Sequence, residues 1–361
     1  GVIVFTSLLF SIFTILCGFA NSTQDLMIYR FITGVGLGAA MPNISTIVSE
    51  YMPVKRKAFL TGLAGCGFML GISCGGVLSA YLLERYGWAK VIIIGGSIPL
   101  ILVVALLLKL PESTQYLITR HQQDKAQRIL ENIQGHSFQE PIKLVLTQAE
   151  NTSDKNPVKV VLGKYLWGSS MLWLCCFTSL LVFYLLTSWM PTILKTAGFS
   201  TQQFSLIAAI FPFGGVIGAT IMGWYMDKLN PTTVIKYSYM IAFIVFIVAG
   251  LVSSNIFLLG LTIFLIGALL AGAQSSLLPL AAMFYPAVCR AVGVSWMHGI
   301  GRIGAILDAF FGSLIFTFNL GLSGIFFILA IPTFTSFIAL SLKVIYEKSK
   351  HKQVLKLEES L

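Results

Sequence analysis

Charge is what this sequence has least of. Only 11% of its 361 residues are Asp, Glu, Lys or Arg, where a water-soluble chain of this size carries roughly 25%. With 56% apolar residues and a mean hydropathy of +0.85, that scarcity excludes a soluble domain and describes a chain built for lipid. Alternation is missing too. The apolar runs are continuous, which excludes a transmembrane barrel and leaves helices. No pair among Cys17, Cys66, Cys74, Cys175, Cys176 and Cys289 has zinc-ligand spacing. All six sit in apolar runs or at their edge, where a thiol serves as a small core hydrophobe. H-E-x-x-H, G-x-S-x-G and a phosphate loop with G-K-S/T are absent, so no enzyme, cofactor or metal is expected.

What is present is a series of ten apolar segments: Val2–Ala20, Leu26–Val48, Phe59–Leu83, Val91–Leu108, Leu166–Leu194, Phe204–Met226, Val234–Val252, Ile256–Phe284, Val292–Phe318 and Gly324–Val344. About 20 apolar residues suffice to cross a bilayer. Between the fourth and fifth lies a polar stretch, Lys109–Tyr165, with a short charged helix at Asp124–Asn132 and a linker-like run at Asn151–Pro157. The expected organisation is a helical bundle over 1–108, a central loop over 109–165, a second bundle over 166–344 and a tail over 345–361.

Lys and Arg orient these spans. If the first runs outward, the inside loops and tail hold 19 of the 24 basic residues, and the outside loops only Arg85, Lys90 and Lys195. The central loop and tail are then cytoplasmic. The net charge of +10 follows from this asymmetry and implies no nucleic acid. The partners expected are the lipid bilayer and a small solute, with the chain a monomer.

Two basic residues remain, Arg30 and Arg302, both inside spans, where an ion costs at least about 2.5 kcal/mol. Arg30 opens Arg30-Phe31-Ile32-Thr33-Gly34-Val35-Gly36-Leu37-Gly38. It is either a snorkelling side chain or a bundle-interior cation paired with an acid. Glu50, on the same straight helix, is about 30 Å away and cannot be that acid. Beside Lys55, Arg56 and Lys57, it suits a gate-type ion pair at the cytoplasmic end.

Arg302 is the strongest site candidate. It stands 12 residues after Arg290, about 18 Å deeper along a straight helix, which places it near the midplane and buried. Its planar fork suits a carboxylate; a structural ion pair is the alternative. Asp308, six residues on, is about 120° around the helix, so a direct pair is awkward and Asp308 is expected to face another neighbour. His298, one turn before Arg302, either relays protons or is a packed polar residue. Gly299-x-Gly301-x-x-Gly304 has the spelling of a dinucleotide fingerprint but no βαβ unit around it. Its glycines instead suit close helix packing. Among the aromatic residues of the fifth and sixth segments, Tyr184 lies mid-span and could wall an aromatic ring; most of the others suit lipid-facing or interfacial belts.

A shift of 233 residues aligns Phe31 with Phe264, Gly34 with Gly267, Pro53 with Pro286 and Lys57 with Arg290, the mark of a duplicated bundle. Arg30-x-x-x-Gly34 with Gly36, Gly38, Pro42, Glu50 and Pro53, and Gly223-Trp224-Tyr225-Met226-Asp227-Lys228, resemble motifs of the major facilitator superfamily. Three further strings resemble its aromatic acid:proton symporter branch, the 4-hydroxybenzoate and benzoate transporter type. They are Gly34 to Pro42 with Ser49-Glu50-Tyr51-x-Pro53, Ser188-Trp189-Met190-Pro191-Thr192, and Tyr285-Pro286-x-x-x-Arg290-Ala291-x-Gly293-Val294-Ser295-Trp296-x-x-Gly299-Ile300-Gly301-Arg302-x-Gly304.

The resemblance implies an all-α polytopic fold of twelve helices, of which this sequence, opening at Gly1 with four segments before the loop and six after, is expected to lack the first two. It implies proton-coupled uptake of a small aromatic carboxylate by alternating access in a bacterial inner membrane. Arg302 would hold the anion, and Arg30 with acids on an earlier helix would couple the proton. Glu50, Arg56, Asp227, Lys228 and Arg290 would serve cytoplasmic gating. The alternatives are another organic anion, a sugar acid or a drug as solute, or a non-transporting sensor or inactive fragment.

Overall fold

Helices account for the regular structure of the described residues in a computed structural model of the chain, which describes residues 2–51, 57–109, 117–118, 122–134, 157–163, 165–318 and 320–359. In order they are α1 (Val2–Cys17), α2 (Thr23–Tyr51), α3 (Lys57–Lys109), α4 (Gln123–Gln134), α5 (Pro157–Leu162), α6 (Leu166–Thr196), α7 (Thr201–Lys228), α8 (Pro231–Leu251) and α9 (Ile256–Ile266). A π-helical turn, Gly267–Ala271, joins α9 to α10 (Gly272–Phe284), followed by α11 (Ala287–Thr317) and α12 (Leu322–Glu359). Among the described residues six stretches are long and apolar enough to cross a membrane: Gly65–Leu108, Leu166–Thr196, Thr201–Lys228, Pro231–Leu251, Ile256–Phe284 and Leu322–Glu347. The protein is a multi-pass integral membrane protein.

Helix starts follow local chemistry. Ser22 and Asp25 bond each other's backbone N–H at 3.1 and 3.2 Å to open α2. Ser200 and Gln203 do the same for α7. Asn230, followed by Pro231, caps α8, and Asn255 caps α9. Each side chain satisfies an N–H that the first helical turn leaves without a partner. The third and fourth segments follow one another without an intervening loop. They join as α3, broken at Gly87, whose φ of 74° only a residue without a Cβ adopts easily. The last segment and the tail as far as Glu359 are one helix.

The chain divides into two compact units. The first comprises Gly1–Gly65 and Leu82–Asn151, the second Cys66–Tyr81 and Thr152–Leu361. In the first, α1 packs along α2, with Phe10 and the Thr6 carbonyl against Gly36 and the Phe13 and Tyr29 rings 6.1 Å apart. Gly18 and Gly96 admit the side chains of Ile93 and Ile15 between α1 and the later half of α3.

In the second unit α6 is the hub, touching α7, α10, α11 and α12. Polar pairs mark its sides. Thr178 and Ser336 hydroxyls meet at 2.7 Å toward α12, Tyr239 Oη donates to Ser179 Oγ at 2.8 Å from α8, and Tyr285 Oη donates to Ser169 Oγ at 2.8 Å. In lipid such bonds average about 0.6 kcal/mol each. Ser73 of α3 donates to the Ala209 carbonyl at 2.8 Å within this unit.

The closest crossing runs between α7 and the π turn. Gly218 lies on the Ala268 backbone, Gly267 on the Phe211 carbonyl and Gly272 on the Gly218 backbone, so a Cβ at any of the three would collide. Ser238 donates to the Leu269 carbonyl at 2.8 Å within this turn, where the i→i−4 ladder is interrupted. At one end of the unit Lys343 is 2% exposed. Its Nζ bonds Glu347 at 2.7 Å and stands 4.5 Å from the centre of the Phe284 ring.

Candidate functional site

Helix α11 carries four of the residues singled out above, and its packing decides where each points. Gly293, Met297, Gly301, Gly304, Asp308, Gly312 and Ile315 are buried. Their spacing of three and four residues makes one stripe, and that stripe faces α6. Gly301 lies against Cys176 and Leu180, Gly304 against the Phe177 carbonyl, and Gly312 against the Trp189 ring. These glycines bring the two helices within backbone contact, as small residues do in membrane bundles.

Asp308 therefore lies in the α6-facing stripe, between Gly304 and Gly312, and is 8% exposed. Tyr184 follows Leu180 by one turn and Phe177 by two on α6, so it shares the face that meets α11. It is half-buried, with its ring edge-on to Phe183 at 5.4 Å.

Arg302 corrects an expectation. It is exposed, not buried. The physical reason is the stripe itself: Gly301 and Gly304 occupy the contact with α6, which turns the intervening residue away from its own bundle's core. His298, one turn earlier, is half-buried. Among the described residues neither Arg302 nor Asp308 has an ion-pair partner. Arg302, Ala305 and Asp308 fall at i, i+3 and i+6, one slanting row in which Ala305 is the middle member, half-buried and small.

Arg30 is exposed on α2 and, among the described residues, has no ion-pair partner. The side chain of Glu50 and all of Arg56 lie outside the described residues. Asp227 and Lys228, expected to serve cytoplasmic gating, have no ion-pair partner among the described residues. Both are exposed in the last turn of α7, and Lys228 Nζ stands 3.7 Å from the Trp224 ring centre, one turn back on its own helix. Arg290 is exposed and donates from Nε to the Tyr285 carbonyl at 3.2 Å. That bond ties the start of α11 to the end of α10.

Sequence reasoning missed the Trp173–Trp296 stack, with centroids 5.7 Å apart, between α6 and α11. It also missed Gln274, whose Nε2 lies 3.9 Å from Cys176 Sγ and whose buried Oε1 has no hydrogen-bond partner among the described residues. No motif flags either. The spacing Gly293, Gly301, Gly304, Gly312 does carry a signal, since a residue spaced with it, as Asp308 is, belongs to a helix–helix contact.

Comparison with known proteins decides the family. The Major Facilitator Superfamily profile matches residues 2–251 and, again, 172–360. The chain belongs to the major facilitator superfamily. Among its relatives, the 4-hydroxybenzoate transporter PcaK of Pseudomonas aeruginosa is 38% identical over 344 residues, covering 95% of this chain and 77% of that one. A gallate transporter of Pseudomonas putida is 36% identical over 334 residues, covering 92% and 74%. The crystal structure of a D-xylose–proton symporter is similar in fold, with a TM-score of 0.66 and 17% identity, covering 95% of this chain and 79% of that one. Members of this superfamily are transporters, not enzymes, and the all-helical fold agrees with membership.

Proposed function

We propose that this protein takes up small aromatic carboxylates in symport with protons, by alternating access of its two helical bundles. The observation that carries the proposal is Arg302, a guanidinium in the ninth apolar segment that has no counter-anion among the described residues. A charge held there is costly, and a planar fork matches a carboxylate in two hydrogen bonds. A substrate anion supplies the missing charge. Relatives named for 4-hydroxybenzoate and gallate narrow the anion to an aromatic acid. Arg30, Tyr184 and His298 are the further candidates for substrate handling and coupling. Glu50, Arg56, Asp227, Lys228 and Arg290 are candidates for the cytoplasmic gate.

Uptake of labelled 4-hydroxybenzoate by cells producing the protein, in a host without aromatic acid carriers, tests this. Accumulation should rise when the outside is made more acidic and collapse with a protonophore. Uptake that ignores both would remove the proton from the account, and competition by sugars or cationic drugs instead of benzoates would remove the aromatic acid.

A further inference from the structure

Seen down its axis, α11 has three sectors. One is the seam on α6, through Gly301 and Gly304. Another shows Ile303, Ile306 and Phe310, exposed large apolar side chains of the kind that lipid covers. Between the two runs a strip of Ser295, His298, Arg302, Ala305 and Ala309, which fall within about 80° of one another. Every member is small or polar, and none is fully buried. Such a strip suits water and a polar solute.

His298 is the one histidine of the four that lies in an apolar segment; His121, His136 and His351 belong to the central loop and the tail. It stands one turn from Arg302, about 6 Å along the axis and about 40° around it, and Arg302 is the charge that acts on it. On α11 itself, Arg290 and Asp308 are about 12 and 15 Å away along the axis. The elements packed on α11 are α5, α6 and α10. Their titratable groups are Lys159 on α5 and Cys175, Cys176, Tyr184 and Lys195 on α6, with none on α10. No carboxylate is among them. Ser295, about 4.5 Å beyond His298, ends the polar part of the strip on the Arg290 side, which the basic-residue asymmetry assigns to the cytoplasm.

We infer that His298 carries the coupled proton, and that the substrate carboxylate on Arg302 is what lets it do so. This rests on the proton symport of an aromatic acid proposed above and deepens it by naming the proton's carrier. Two cations one turn apart repel, the more so away from bulk water. A carboxylate on the Arg302 fork offsets the guanidinium charge. The imidazole lone pair then takes a proton from water without two uncompensated cations standing together. Anion and proton cross as a neutral pair. When the carboxylate leaves, the imidazolium N–H gives its proton to the Ser295 hydroxyl, which passes its own to water. Both side chains end as they began, so each cycle moves one proton with one anion.

The test is calorimetric binding of 4-hydroxybenzoate to the purified protein in lipid nanodiscs, repeated in buffers of different ionisation heat, which counts the protons taken up. The unaltered protein should take up about one proton per anion, and its affinity should fall by up to about tenfold per pH unit between about pH 6 and pH 8. His298→Gln should bind the acid with no proton taken up and with an affinity flat over that range; His298→Asn should agree. Should neither variant fold, replacing His121, His136 and His351 by Gln leaves His298 as the one histidine. Its nitrogen-15 imidazole signal should then pass from neutral to protonated when the acid is added at about pH 7. Proton uptake that persists in either His298 variant, or a signal that stays neutral, overturns this inference alone. Binding by the unaltered protein with no proton taken up overturns it together with proton symport. Absence of binding by every aromatic acid overturns the whole functional reading.

Discussion

Two helices of this protein pair an arginine with a cluster of glycines, and they use the glycines differently. In α2, Gly34 and Gly38 have open space around the position of a Cβ, and only Gly36 meets a neighbour, α1. In α11, Gly301, Gly304 and Gly312 are each pressed on α6. The same composition therefore means a loose face in one unit and a backbone-to-backbone seam in the other. In α11 the seam has a consequence for function. It fixes the rotation of the helix, and that rotation sends Arg302 outward and Asp308 inward.

The contrast can be broken most severely in the α11 seam. Gly304→Val should destabilise by about 3 kcal/mol, since a side chain there meets the Phe177 backbone of α6. Gly34→Ala, in open space, should change thermal stability little or raise it slightly, because alanine favours helix over glycine. Melting of both variants in detergent checks the pair. Equal losses would mean that the two faces are packed alike.

A smaller asymmetry concerns Lys343 and Glu347. The lysine is 2% exposed and the glutamate 42%. Glu347→Gln leaves a buried cation without its anion and should cost about 3 kcal/mol. Lys343→Met removes the buried charge, keeps contact with the Phe284 ring, and should change stability by less than about 1 kcal/mol. Melting temperatures should rank Glu347→Gln below Lys343→Met; the reverse order would show that the lysine's charge, and not its burial, dominates.

Much of the architecture was legible in sequence because bilayer physics writes it in long continuous runs. The second-unit helices α6, α7 and α8 follow the fifth to seventh segments, and the caps at Ser200, Asn230 and Asn255 stand where capping residues meet those runs. The arginines stood out because charge in an apolar run is rare. What sequence did not show depends on three-dimensional packing. Nothing in the third segment indicates that Cys66–Tyr81 clusters with the second unit while the rest of α3 belongs to the first. The π turn at Gly267–Ala271 has no motif of its own. Arg302 was expected to be buried because depth along the helix was counted and rotation was not. Glycine spacing in α11 contained that rotation, since a seam through Gly301 and Gly304 excludes residue 302. Lys343, at the end of the tenth segment, is buried beside the Phe284 ring of another helix, a contact its place in the sequence does not indicate.

The most direct measurement compares an aromatic acid with its neutral amide in the unaltered protein and in Arg302→Ala. If the guanidinium holds the substrate carboxylate, 4-hydroxybenzoate should bind the unaltered protein far more tightly than 4-hydroxybenzamide, by about a hundredfold for a charge-assisted pair. Arg302→Ala should erase most of that difference, with Arg302→Lys intermediate because it keeps the charge but not the fork. An acid-to-amide ratio equal in the unaltered protein and Arg302→Ala would contradict the carboxylate assignment, whatever else the substitution does to uptake.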